Sequence, residues 1–268
     1  MPKLAFIGAG RMASAMVDGL LSQGAYRAAD ISCFTASGKS AATLAQRTGI
    51  RHCESPDACL DGADIVVIAF KPQHLASADP GLAALTAGKM VLSVLAAKPL
   101  ARLRSVFPHA RAIVRSMPNT PAAIGAGITG WCADSTLTPA DRTRLVGLLR
   151  AIGTEMEVAE SKIDALMAIS GCGPAFVFEF TAALREAGVA AGLPREQAQR
   201  LAVETVLGSG RLMARTQSEP EALRNQVTSP GGTTFAGLQV MAARDFRGMM
   251  LETVMAAKAR SEELSRDN

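Results

Sequence analysis

Two short segments of this chain combine residue types that bind anions. Near the start, Ile7 leads into Gly8-Ala9-Gly10-Arg11-Met12-Ala13, which has the spacing G-x-G-x-x-G/A. At such a spacing Gly8 permits a tight turn, Gly10 lets the backbone approach a pyrophosphate, and Ala13 lets a helix close on a strand. Backbone N–H groups at the helix start then point at the anion. Far along the chain, Ser229-Pro230-Gly231-Gly232-Thr233-Thr234 precedes a helical stretch through Leu238 and Met241. Ser229 suits a helix N-cap and Pro230 the first turn. The two glycines leave backbone N–H groups bare and two hydroxyls follow, which suits a small carboxylate. Glycines in a helix cost roughly 1 kcal/mol each, so a plain cap leaves the pair unexplained.

Four other segments invite a chemical reading. The second strand ends Cys33-Phe34-Thr35-Ala36-Ser37-Gly38-Lys39, with no acid to accept from a ribose 2′-hydroxyl, and Asp30 precedes the strand. Thr35 and Ser37 can donate to a phosphate and Lys39 can neutralise one, which favours NADP(H) and leaves use of NADH open. Ala69-Phe70-Lys71-Pro72-Gln73 closes an apolar run. Lys71 there either faces a dinucleotide or is a solvated strand-end lysine. Arg115-Ser116-Met117-Pro118-Asn119-Thr120-Pro121 is a strand end with two prolines, either a positioning turn or a structural one. Ser170-Gly171-Cys172-Gly173-Pro174-Ala175 reads as close helix packing. No histidine lies near Cys172 in sequence, and hydride transfer needs no thiolate.

The elements that must position these residues follow from periodicity. Short apolar runs at Leu4–Ile7, Ile31–Phe34, Asp64–Phe70, Met90–Leu95, Ala112–Val114, Gly127–Cys132 and Glu155–Val158 read as strands. Between them, 11–22, 39–47 and 139–151 read as helices. This alternation predicts an α/β domain, 1–159, with a mostly parallel sheet covered on both faces. Beyond it the β-branched runs stop, and helices are expected over 161–170, 174–191, 194–214, 219–226, 233–243 and 247–264. An all-α domain over 160–268 is a marginal core alone, and its Ala/Leu/Met faces point to packing against a second copy.

Composition excludes several function classes. The 268 residues are 49% hydrophobic and 19% charged, too apolar for a disordered segment. A net charge of +4 with scattered arginines and 4% aromatics gives no footprint for nucleic acid or a membrane surface. No run of about 18 unbroken apolar residues is present, so no membrane span is expected. Five cysteines without C-x-x-C spacing read as reduced thiols in a cytoplasmic protein, and three separate histidines give no expectation of a metal site. Met1-Pro2-Lys3 runs into the first strand without a signal-peptide pattern.

Taken together, these blocks resemble the pyrroline-5-carboxylate reductase family over nearly the whole chain, Leu4 to Leu264. The blocks are Phe6 to Ala13, Lys71-Pro72-Gln73, Met117 to Pro121, Gly171 to Phe176, and Ser229 to Leu238, the last being the most specific. The resemblance implies NAD(P)H-dependent reduction of 1-pyrroline-5-carboxylate to L-proline, by a Rossmann domain followed by a helical dimerisation domain. It implies an active site between one nucleotide domain and the dimer's helices, and self-association as a dimer or as a decamer built from dimers. It assigns cofactor contacts to Ile7, Gly8–Ala13, Thr35, Ser37, Ala69, Phe70, Lys71, Pro72, Leu95, Ala96 and Ala97, and the substrate to the loop from Ser229 to Thr234. Thr234 is the side chain it places on the ring nitrogen. Ala97, Cys172 and Phe176 stand where the family usually has Gly, Ser and Tyr. A β-hydroxyacid dehydrogenase would need a lysine on the first long helix of the second domain, and Lys162 lies too early. A non-enzymatic dinucleotide sensor would have no need of the 229–234 loop. A related cyclic imine is the alternative substrate.

Overall fold

The computed structural model describes residues 3–266; Met1, Pro2 and residues 267–268 of the expected domains lie outside them. Eight strands form one sheet: β1 (Lys3–Ile7), β2 (Ile31–Phe34), β3 (Arg51–His52), β4 (Ala63–Ile68), β5 (Met90–Ser93), β6 (Ala112–Met117), β7 (Gly127–Ala133) and β8 (Gly153–Glu157). The helices are α1 (Arg11–Ser22), α2 (Lys39–Thr48), α3 (Pro56–Leu60), α4 (Leu82–Leu85), α5 (Leu100–Val106), α6 (Pro139–Arg150), α7 (Ile163–Leu166), α8 (Gly173–Ala190), α9 (Arg195–Thr216), α10 (Pro220–Gln226), α11 (Thr233–Ala243) and α12 (Phe246–Arg266). The strand order is β3-β2-β1-β4-β5-β6-β7-β8. Every neighbouring pair is parallel except β6 and β7.

The chain forms two compact units, residues 3–172 with 257–266, and residues 173–256. In the first, alternate residues of the central strands feed two cores. Leu4, Phe6, Ile65 and Val67 face Met16, Leu20, Leu44 and Leu148 on one side. Ala5, Ile7, Val66 and Ile68 face Leu60, Leu82, Leu103 and Phe107 on the other. Burial on both faces is why these strands read as unbroken apolar runs.

Several expected boundaries move. The strand expected over Asp64–Phe70 is Ala63–Ile68, because the chain leaves the sheet before the turn that starts at Pro72. Met90–Leu95 ends at Ser93, whose hydroxyl accepts from Leu95 N–H and turns the chain. Glu155–Val158 is Gly153–Glu157. The expected helix over 161–170 is a composite of a 3-10 turn, α7, and a π-helical turn at Met167–Gly171, closed by Cys172 N–H donating to Met167 O.

The second unit is built from helices with little interior. The small residues Ala198 and Ala202 are its buried apolar positions among the described residues, and Gly188 lies close to Ala198 where α8 passes α9. Phe178, Leu201, Val240 and Leu251 are all more than half exposed. By length and mean hydropathy the helical run Glu160–Ala190 could cross a membrane, which the test of unbroken apolar residues does not register.

Candidate functional site

The carboxyl ends of β1, β2, β4 and β5 gather the first group of motif residues. Gly8 leaves β1 with φ +115°. Its N–H donates to Phe34 O, and the next strand end is tied down by Ala69 N–H donating to Ile7 O. A Cβ on Gly8 would lie 2.3 Å from Ala69 C and 2.4 Å from Phe70 N. The first glycine is therefore a packing requirement of this sheet as well as a turn. Gly10 differs: it is the N-cap of α1, in an extended conformation (φ −80°, ψ −170°), with no atom within 4 Å of the position a Cβ would take. No side chain caps α1, so its first-turn N–H groups have no side-chain partner. Ala13 is fully buried in the core, as its place in the motif requires. Arg11 is exposed and Met12 is half-buried.

Thr35 follows β2 and begins a tight turn in which Gly38 N–H donates to its carbonyl. Gly38, at φ +71°, caps α2 without a side-chain bond, leaving Ser37 and Lys39 exposed beside a helix N-terminus. The Thr35 hydroxyl is buried with no hydrogen-bond partner. A buried hydroxyl without a partner costs about 1–3 kcal/mol, so this one fits a ligand atom. Asp30 is occupied elsewhere: Arg27 Nε donates to it at 2.7 Å and holds its carboxyl below the usual range. A cavity of about 460 Å3 opens against Ile7, Gly8, Thr35 and Phe70. Pro56, His74, Ser77, Asp79 and Leu82 also line it, and sequence reasoning assigned none of these. The one available signal was position after a strand end, β3 for Pro56 and β4 for the other four, where ligands bind in such sheets.

Lys71 is exposed at the same end of β4, and Pro72 opens a 3-10 turn. At the end of β5, Leu95 and Ala97 are buried and Ala96 is half-buried. Ala97 takes φ +55°, a conformation that favours glycine. Lys98 beside it is 4% exposed and unpaired among the described residues, and burial and nearby Arg102 hold its ammonium pKa below the ordinary lysine value.

The two proline and glycine motifs of the middle of the chain meet. Asn119 Nδ2 donates to Ser170 O in the π-turn at 3.1 Å, and its Oδ1 accepts from Ile128 N–H on β7 at 3.0 Å. Met117 lies against Gly171. Both ends of the Asn119 amide are thus used to tie β7 to the π-turn, the structural reading of that motif. Burial pushes the Cys33 and Cys132 thiols up to about 11 and Cys59 up to about 12, so all three stay protonated at neutral pH.

In the helical unit, the 229–234 loop is organised differently from the expectation. Ser229 is not the N-cap of α11; Gly232 is, and the helix starts at Thr233. Ser229 to Gly232 form a tight turn in which Gly232 N–H donates to Ser229 O at 3.0 Å and Gly231 takes φ +70°. A Cβ on Gly232 would approach Ser229 Oγ to 2.9 Å. Both glycines lie before the helix, so neither carries the helix-interior penalty, and the turn itself accounts for them. No side chain caps α11, so the N–H groups of residues 233–235 have no side-chain partner. Thr233 and Thr234 are exposed on this first turn.

Strand order 3-2-1-4-5-6, a glycine turn at the β1/β4 switch point and an open approach over Gly10 define a dinucleotide-binding oxidoreductase of the Rossmann class. The comparisons agree. A family model described as NADP oxidoreductase, coenzyme F420-dependent, matches residues 3–97, and one described as pyrroline-5-carboxylate reductase dimerisation matches residues 160–264. The chain is 38% identical over 267 residues to the pyrroline-5-carboxylate reductase of Synechocystis sp., and 34% identical over 265 residues to that of Escherichia coli, with 98% of each chain covered in both cases. It superposes on a pyrroline-5-carboxylate reductase from Coxiella burnetii with a TM-score of 0.92 at 32% identity, covering 98% of both chains. The Plasmodium falciparum enzyme, solved with NADP bound, gives 0.87 at 27% identity over 98% of each chain. The chain belongs to the pyrroline-5-carboxylate reductase family, oxidoreductases of the last step of proline biosynthesis.

Proposed function

We propose that this chain reduces 1-pyrroline-5-carboxylate to L-proline with NADPH, and that the residues described above divide the work. Gly8 to Ala13 form the diphosphate site: Gly8, whose own N–H is held by Phe34 O, shapes the turn, and the uncapped backbone N–H groups at the start of α1 receive the anion. The Thr35 hydroxyl, Ser37 and Lys39 take the 2′-phosphate, with the unpartnered Thr35 Oγ1 as the anchoring observation. Ala69 to Pro72 and Leu95 to Ala97 flank the nicotinamide end. When bound, the reduced nicotinamide supplies the hydride.

The observation that carries the substrate reading is the uncapped start of α11 behind the Ser229–Gly232 turn. Ser229, Gly231 and Gly232 shape that turn, and the N–H groups of Thr233, Thr234 and Phe235 hold the substrate carboxylate. The Thr234 hydroxyl donates to the ring nitrogen or orders the water that does. Reduction adds one hydride to the imine carbon and one proton to the nitrogen, and a hydrogen-bonded nitrogen makes that carbon the better electrophile. With no imidazole assigned a part, the chain's contribution is orientation and electrostatics.

We place the functional boundary near residue 159, at the end of the sheet and where the dimerisation match begins. A second copy covers the exposed apolar helices of residues 173–256, in a dimer or a decamer. The five free thiols fit a reducing cytoplasm. The test is loss of nicotinamide absorbance on adding 1-pyrroline-5-carboxylate, run with NADPH and with NADH. Substrate-dependent loss supports the assignment and the two rates give the cofactor preference. No loss from folded, dinucleotide-bound protein would sink it.

A further inference from the structure

The cavity beside Gly8 contains a chemical asymmetry. Its walls are apolar at Ile7, Phe34, Pro56, Phe70 and Leu82, a lining that suits a flat aromatic ring. Among the described residues that line it, Asp79 is the one carboxylate. Asp79 is held in place: its Oδ1 accepts from Gly81 N–H at 2.8 Å and its carbonyl accepts from Leu82 N–H at 3.0 Å. Its Oδ2 has no partner among the described residues and is acceptor-only when ionised. Thr35, at the ribose end of β2, lines the same cavity.

Of the ring edges a dinucleotide could bring here, adenine offers one exocyclic donor, the 6-amino group; its ring nitrogens N1, N3 and N7 only accept. Thr35, His74 and Ser77 also line the cavity and Asp79 is itself exposed, but Asp79 is the one side chain there that can only accept, and its fixed position favours that donor. We infer that Asp79 is a specificity-determining residue for the cofactor, accepting through Oδ2 from the adenine 6-amino group. Hypoxanthine presents a carbonyl oxygen at that position and carries its donor at N1–H instead, so a carboxylate fixed opposite position 6 meets an acceptor there. The inference rests on the dinucleotide reading above.

The experiment is calorimetric binding of NADPH and of its hypoxanthine analogue to the wild-type chain, Asp79→Ala and Asp79→Asn. No turnover is needed. A hydrogen bond to a charged group corresponds to about a tenfold change in affinity or more, so wild type is expected to bind the analogue at least about tenfold more weakly than NADPH. Asp79→Ala is expected to bring the two within about twofold. Asp79→Asn keeps an oxygen for Gly81 N–H and turns an amide donor toward the ring, so its preference is expected to reverse toward the analogue. A loop loosened by substitution weakens both ligands together and does not reverse their order. Equal binding by wild type overturns the inference without any variant, as does discrimination that survives in Asp79→Ala. If folded wild type binds neither dinucleotide, the dinucleotide reading fails and this one with it.

Discussion

The two glycines of the nucleotide turn separate structure from function, and a pair of substitutions measures the separation. Gly8 sits at φ +115°, where an L side chain costs about 1–3 kcal/mol in strain. An added Cβ would also sit 2.3–2.5 Å from Ala69 and Phe70 backbone atoms, which no rotamer change relieves. The strand ends must part, and the bonds Gly8 N–H to Phe34 O and Ala69 N–H to Ile7 O are the first lost, at about 1 kcal/mol each. Gly8→Ala is therefore expected to cost about 3–5 kcal/mol, a large share of a typical domain's stability. Gly10→Ala meets no atom within 4 Å and an ordinary φ of −80°. A poorer N-cap and a less flexible unfolded chain offset one another, so its stability is expected within about 0.5 kcal/mol of wild type. The new methyl occupies the open approach to α1, and NADPH affinity is expected to fall by about tenfold or more. Urea unfolding reads the first quantity and calorimetric titration the second. A Gly10→Ala protein that binds NADPH like wild type, or a Gly8→Ala protein as stable as wild type, would refute the reasoning.

Other expectations follow from single contacts. Thr129 Oγ1 is buried without a partner, so Thr129→Val is expected to stabilise the fold by about 1 kcal/mol, read as a rise of about 2–4 °C in Tm; a fall in Tm would show that the hydroxyl is satisfied. Arg111 donates to Asp141 through two bonds, at 2.7 and 3.1 Å, and holds its carboxyl below the usual range. A depressed folded-state pKa contributes stability above the unfolded value near 4, and that contribution is lost as pH falls through the folded value. Asp141→Asn is expected to cost about 2 kcal/mol at neutral pH and to flatten the acid limb of the stability curve; an unchanged acid limb would contradict this. Thr234→Ala is expected to lower kcat by about a hundredfold with NADPH affinity within twofold; equal losses in both would assign Thr234 to the fold.

Much of this fold was legible because its central strands are apolar on both faces and its nucleotide turn is local in sequence. Residues whose partners are distant were less so. Ser229 looks like an N-cap by type, but only the turn to Gly232 shows that the helix starts later. Nothing in Met167–Gly171 spells a π-turn; it answers to Asn119, which is far away in sequence. Asp79 lies in a polar stretch after β4, and its significance comes from Phe34 and Pro56, supplied by other strand ends. The short helices α3, α4 and α5 were missed because so few turns hardly establish a period.

The last turns of α12 return to the unit in which the chain begins. Ser261, fully buried, donates to Asp164 Oδ1 at 2.5 Å and also contacts Met167 Sδ. Residues 173–256 are thus an excursion that leaves this unit after Cys172 and rejoins it in α12, where Ser261 and Ser265 both donate to Asp164. Closing such a loop costs entropy once, and that cost grows only slowly with length. A lineage could therefore lengthen, shorten or re-surface the helical excursion with little penalty to the nucleotide unit, provided the Asp164–Ser261 clasp survives. Trimming the chain back past Ser261, by contrast, is an injury to Asp164 and Met167, nearly a hundred residues earlier in the chain.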